Sequence, residues 1–196
     1  MSHQDAPRGG LRAVIRDVVR QRLSDVAVDL FAERGFEGVT VEQVAAAAGV
    51  SARSVHRYFP AKEDMVVGTL ADYGERVAEA FAARTTDERA IESLYAAYAT
   101  MLGTREQTDR DKIAIRLLSS TPSLRARNFE KHLQWAEILT PVVAQRLDGD
   151  HALLRAKVIV QASLCAFDVA LATWAETDEM QGLQEILSTT FGALEP

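Results

Sequence analysis

The chain has 196 residues, 47% apolar and only 7% aromatic, a balance that suits closely packed helices and leaves no stretch alternating with period two long enough for a strand. A net charge of −6 excludes a protein basic over its whole surface, yet the charge is uneven: residues 1–62 hold nine Lys/Arg and seven Asp/Glu, the remainder thirteen and twenty-one. A single cysteine, Cys165, argues against a disulfide framework and fits a reducing cytoplasm, and neither an uncharged span of about 18 apolar residues nor a hydrophobic leader points to a membrane.

Met1–Gly10, with Pro7, Gly9 and Gly10, reads as a disordered arm. A first helix is expected from Leu11 to Arg34, because Leu11, Val14, Ile15, Val18, Leu23, Ala27, Leu30 and Phe31 recur at three and four. Gly35 ends it. Thr40 and Gln43 form a capping box that starts a second helix, and Gly49 stops it. Ser51 caps a third helix, with Val55 and Phe59 facing inward and Pro60 closing it.

Helix, glycine-containing turn and helix is the plan of a DNA-binding helix-turn-helix, although an ordinary helical hairpin shares it. The outward face of the third helix carries Ala52, Arg53, Ser54, His56, Arg57 and Tyr58. Arg53 and Ser54, with Ser51 and His56 in support, are expected to meet base edges. Thr40, Tyr58 and Lys62 are expected to meet phosphates.

A long fourth helix is expected from Lys62 to Arg84, with Met65, Leu70, Tyr73, Val77 and Phe81 as its stripe. A fifth follows a cap at Asp87 and ends at Gly103. A sixth spans Thr108–Ser119. A seventh runs from Leu124 to Leu147 and should kink or divide at Pro141. The eighth, His151–Glu176, is apolar around most of its circumference, and a ninth follows a cap at Asp178 with Met180, Leu183, Leu187 and Phe191 on its stripe. Two such apolar C-terminal helices suggest a homodimer joined through them as a four-helix bundle, with Leu187 and Phe191 in the interface.

The four histidines, His3, His56, His132 and His151, show no metal-ligand spacing, and no nucleophile elbow or phosphate-binding loop occurs, so neither a metal, a cofactor nor an enzyme is expected. Polar residues inside apolar helices, notably Arg116 and Asp168, mark either structural pairs or the wall of a cavity.

The run Gly49-Val50-Ser51 through Arg57-Tyr58-Phe59-Pro60-Ala61-Lys62-Glu63-Asp64 resembles the signature of the TetR/AcrR family of bacterial transcriptional regulators. The likeness is sharp over residues 12–70 and looser beyond. Arg53 and His56 depart from the residues common in the family, so no operator sequence carries over. The resemblance implies an all-α, nine-helix fold, with a DNA-binding domain over 1–62 and a ligand-binding and dimerisation domain over 63–196. It also implies a homodimer on a palindromic operator, acting as a repressor that a small, largely apolar ligand releases. Arg116-Leu117-Leu118, Thr121 to Arg127, Trp135 and Trp174 further resemble a branch associated with acyl-coenzyme-A-like ligands. On that reading Tyr95, Tyr98, Arg116, Phe129, Trp135 and Asp168 line the ligand cavity. The rival is a helical small-molecule-binding or enzymatic domain without specific DNA binding.

Overall fold

A computed structural model describes residues 8–68, 73–104, 106–177 and 182–194 of the chain. Of the sequence expectations, those on the arm residues 1–7, on Leu70, and on Asp178 and Met180 lie outside the described residues. The described residues form ten helices and no strand, in two compact units, residues 1–69 and 70–196.

In the first unit α1 (Arg8–Arg34) lies against α2 (Val41–Ala47), and α2 against α3 (Ala52–Tyr58). Thr40 and Gln43 make the capping box: Thr40 Oγ1 accepts from the Gln43 amide at 3.3 Å, and Gln43 Oε1 accepts from the Thr40 amide at 2.8 Å. At the far end of α2 the Val50 amide donates to Ala45 O (2.9 Å) and the Gly49 amide to Ala46 O (3.2 Å), the paired bonds of a Schellman turn. Gly49 takes φ +71°, a left-handed conformation that costs glycine nothing. Leu23, Ala27, Phe31, Phe36, Val39, Val44, Val55 and Phe59 fill the space between these helices.

The boundary falls at residue 69, seven residues beyond the expected one, because a short helix α4 (Asp64–Val67) is held by α1. Ser24 Oγ donates to Met65 O, the Arg20 guanidinium to Gly68 O, and Met65, Val66 and Val67 are buried. The long fourth helix expected from Lys62 is therefore described in two pieces, α4 and α5 (Tyr73–Ala82), with residues 69–72 outside the described set.

The second unit contains α5, α6 (Ala90–Leu102), α7 (Asp109–Ser120), α8 (Pro122–Ala144), α9 (Ala152–Glu176) and α10 (Leu183–Gly192). The α6 cap is Arg89 rather than Asp87, and Pro122 occupies the first turn of α8, where its missing amide donor is not needed. Helix α8 is not divided at Pro141 but runs on to Ala144; the proline sits in the last turn, where only one ladder bond is lost. Arg146 fastens the end of α8 to the α5–α6 turn by donating to Phe81 O, to Arg84 O (2.7 Å), to Thr85 O (3.1 Å) and to Ser93 Oγ (3.0 Å). Lys112 and Arg116 of α7 donate to Thr177 O (2.7 Å) and Ala175 O (2.6 Å), satisfying carbonyls at the C-terminus of α9 where cations are favoured.

Helix α9 is long and apolar enough, by length and composition alone, to cross a membrane, but it packs on α7, α8 and α10 as the central helix of this unit. It is not covered all round. Leu154, Val158, Cys165 and Val169 are exposed. Leu187 and Phe191 of α10 behave in the opposite way. At 0% and 4% exposure they lie inside their own protomer, against Tyr95, Tyr98 and the α9 core, and so offer almost no surface to a second subunit.

Candidate nucleic-acid interface and effector site

Ser51 Oγ accepts from the Ser54 amide (3.2 Å) and lies 2.9 Å from Ser54 Oγ, so the two hydroxyls start α3 and hold each other. Val55 and Phe59 are fully buried, which turns the opposite face outward. Arg53, His56 and Arg57 are exposed there; Ala52, Ser54 and Tyr58 are partly covered. Arg53 has no hydrogen-bonding partner among the described residues, whereas the Arg57 guanidinium lies 5.1 Å from the centre of the Tyr58 ring and 3.5 Å from its hydroxyl. Seven residues thus present a free-standing guanidinium at Arg53, the His56 imidazole within the field of the Glu42 carboxylate, and an Arg57–Tyr58 pair at the C-terminal end. Thr40, at the start of α2, is also exposed.

Lys62 does not point outward with them. Its ammonium donates to Phe36 O (2.8 Å) and Val39 O (3.2 Å) and sits 4.1 Å from the centre of the Phe36 ring. It ties the α1–α2 loop to the segment after α3, a role that its place in the sequence does not announce. Lys62→Ala is expected to cost the first unit about 1–3 kcal/mol, since two hydrogen bonds from a cation are lost from a half-buried site. Urea unfolding checks the loss. The salt dependence of DNA binding, which a phosphate contact would flatten by about one unit, is expected to keep its slope.

The six expected wall residues of the second unit separate. Tyr98 of α6 and Trp135 of α8 are buried and stacked, ring centres 6.5 Å apart, with Phe167 of α9 4.8 Å from Tyr98. Burial pushes the Tyr98 phenol well above its ordinary range, so it stays a neutral hydroxyl, 3.5 Å from Ser163 Oγ. Asp168 joins this group from its edge: its Oδ2 lies 3.1 Å from His132 Nδ1. Tyr95 instead lines a separate cleft of about 210 Å³ with Ile91, Glu92, Ser188, Phe191 and Gly192. Phe129 is 62% exposed on the outer side of α8, and Arg116 is exposed where it meets the end of α9. Neither meets the Tyr98–Trp135 cluster.

Two buried polar residues at the cluster were not anticipated. Lys131, 5% exposed, donates to Asn128 Oδ1 (2.7 Å), and its ammonium lies 4.9 Å from the centre of the Trp135 indole; burial pushes it down to about 8, the Asp168 carboxylate opposing the shift. His132 is buried beside it. The signal available in the sequence was Lys-His-x-x-Trp at one helical turn, which places all three side chains on neighbouring positions of one face.

These geometries define a helix-turn-helix regulator with an all-helical second unit, and comparison with known proteins bears on both halves. Residues 23–68 match the family described as bacterial regulatory proteins, tetR family, and residues 88–196 match the MftR C-terminal domain. The chain belongs to the TetR family, with an MftR-type C-terminal domain, and is a DNA-binding transcriptional regulator. It is 27% identical over 180 residues to the Mycobacterium tuberculosis protein MftR, named as a mycofactocin biosynthesis transcriptional regulator, covering 90% of this chain and 89% of that one. It is 26% identical over 210 residues to the transcriptional regulator TcmR of Streptomyces glaucescens, covering 100% and 91%. Among solved structures it is similar to the TetR-family repressor FadR of Thermus thermophilus in complex with lauroyl-CoA, with a TM-score of 0.53, 26% identity, and coverage of 89% and 92%.

Proposed function

We propose that this protein is a homodimeric cytoplasmic repressor that leaves its operator when an apolar, acyl-type ligand enters the second unit. The observation that carries the DNA half is the exposed face of α3, where Arg53 stands free of partners beside His56 and the Arg57–Tyr58 pair. Arg53 reads a guanine through both its acceptors, with Ser54 and His56 beside it, while Thr40, Arg57 and Tyr58 rest on phosphates.

The dimer reading rests on α9. Leu154, Val158, Cys165 and Val169 follow one another at intervals of four, seven and four, which keeps them within one narrow stripe of the helix, and all are exposed. An apolar stripe of this kind is covered by a second copy crossing it on a two-fold axis. Two copies then place two recognition helices about 34–36 Å apart, for successive major grooves.

The ligand reading is supported by the FadR complex with lauroyl-CoA and by the buried aromatic cluster of Tyr98, Trp135 and Phe167. A ligand releases DNA only if it prefers the conformation that does not fit the operator. Titrating dodecanoate or dodecanoyl-CoA into a labelled protein–operator complex is expected to lower the anisotropy to that of free DNA. Binding of the acyl compound with no DNA release would refute the coupling; no binding at all would refute the acyl reading.

A further inference from the structure

The centre of the second unit contains polar atoms that its packing leaves unused. Trp135 Nε1 and His132 Nε2 are buried without a hydrogen-bonding partner among the described residues. Both residues are over nine-tenths buried, on one face of α8, with ring centres 6.0 Å apart. The Lys131 ammonium lies over the same indole and spends one of its three protons on Asn128. Desolvation disfavours its charge. Buried polar atoms left unpaired weaken a fold. Two of them beside a buried ammonium, within one turn of helix, are a cost that packing alone does not explain.

The neighbours preserve this arrangement. The Asp168 carboxylate of α9 lies 3.1 Å from His132 Nδ1, so the opposite edge of the ring carries Nε2 away from it. Gly74 of α5 makes room for the indole: a Cβ there would come within 2.7 Å of Trp135 Cδ1 and 3.1 Å of Nε1. The pyrrole edge is thus held close to α5 without a hydrogen bond from it.

We propose that Lys131, His132 and Trp135 form the seat for the carboxylate end of the effector, with Asp168 holding His132 in position and Gly74 admitting the indole. The inference rests on the reading of an apolar ligand in this unit and adds the chemistry of its polar end. An ammonium and an indole N–H match a carboxylate's acceptors, and His132 adds a third donor at Nε2 when both its ring nitrogens carry protons. An alcohol offers less to this set and carries no charge for Lys131. Selectivity therefore follows from leaving these groups unpaired whenever the wrong end enters.

Calorimetric titration of the full chain with dodecanoate and with 1-dodecanol tests the assignment. Wild-type protein is expected to bind the acid at least ten-fold more tightly than the alcohol. Lys131→Met is expected to lose that preference, to bind the alcohol as before, and to melt at a higher temperature, because a buried cation has been removed. Trp135→Phe, which keeps a ring and deletes one donor, is expected to weaken acid binding alone. On adding dodecanoate, the Trp135 Nε1–H resonance, identified with a Trp174→Phe control, is expected to move downfield. Equal affinity for acid and alcohol, with both bound, overturns the carboxylate seat and leaves the apolar-ligand reading standing. Binding of neither overturns both. A lower melting temperature for Lys131→Met with unchanged acid preference assigns the cluster to the fold.

Discussion

Replacing Val158 by aspartate is expected to turn the proposed dimer into monomers and to lower operator affinity by about 10²–10⁴-fold, the gain lost when two linked half-sites bind independently. Val158 is 63% exposed in the protomer, in the middle of the α9 stripe, so the substitution costs the isolated chain little. Across a two-fold interface the same residue enters twice, and each copy brings an unpaired charge into an apolar contact. Sedimentation velocity reads the mass, and anisotropy on operator DNA reads the affinity. Leu187→Asp serves as the contrast. Leu187 is fully buried within its own protomer, so its replacement is expected to unfold the second unit rather than divide a folded dimer, which circular dichroism separates. A Val158→Asp protein that remains dimeric would move the interface off α9.

Phe59→Ala is expected to remove about 3–5 kcal/mol from the first unit, the usual cost of emptying a buried phenylalanine site. Phe59 is fully buried at the end of α3, its amide donates to Val55 O at 2.9 Å, and the Arg20 guanidinium lies 5.8 Å from its ring. A unit of about this size has little more stability than that to lose. Both tryptophans, Trp135 and Trp174, belong to the second unit, which gives each half its own signal. Circular dichroism at 37 °C is expected to show loss of helix, with specific DNA binding abolished, while the tryptophan emission holds. Unchanged helicity together with intact operator binding would contradict the packing described for Phe59.

The helix-turn-helix was legible because its determinants are local. Thr40, Gln43, Gly49 and Ser51 act within a few residues of their own position, and the Schellman and capping bonds form as their types dictate. What depends on distant partners was less legible. Lys62 lies in a basic segment, and only the fold shows its ammonium spent on Phe36 and Val39. Periodicity identified the apolar stripe of α10, but not that its own protomer covers it; the apolar circumference of α9 likewise concealed which residues remain bare. In the second unit, Tyr98, Trp135 and Asp168 do meet in one cluster, whereas Phe129 and Arg116 go elsewhere, since helical spacing gives a face and not its neighbour. Lys131 and His132 were missed for a related reason: charged and imidazole side chains next to a stripe look like a solvated face until the helix is docked.

Whether α3 reads DNA sequence through Arg53 is tested most directly by selection from a pool of random duplexes. Wild-type protein is expected to enrich a two-fold-symmetric site with half-sites about one helical turn, or a multiple of it, apart. Arg53→Ala is expected to enrich the same site with one base pair per half-site no longer fixed, a loss of about 1–3 kcal/mol of discrimination at that position. Enrichment of no symmetric site by the wild type, or an identical site selected by Arg53→Ala, would contradict that role of Arg53.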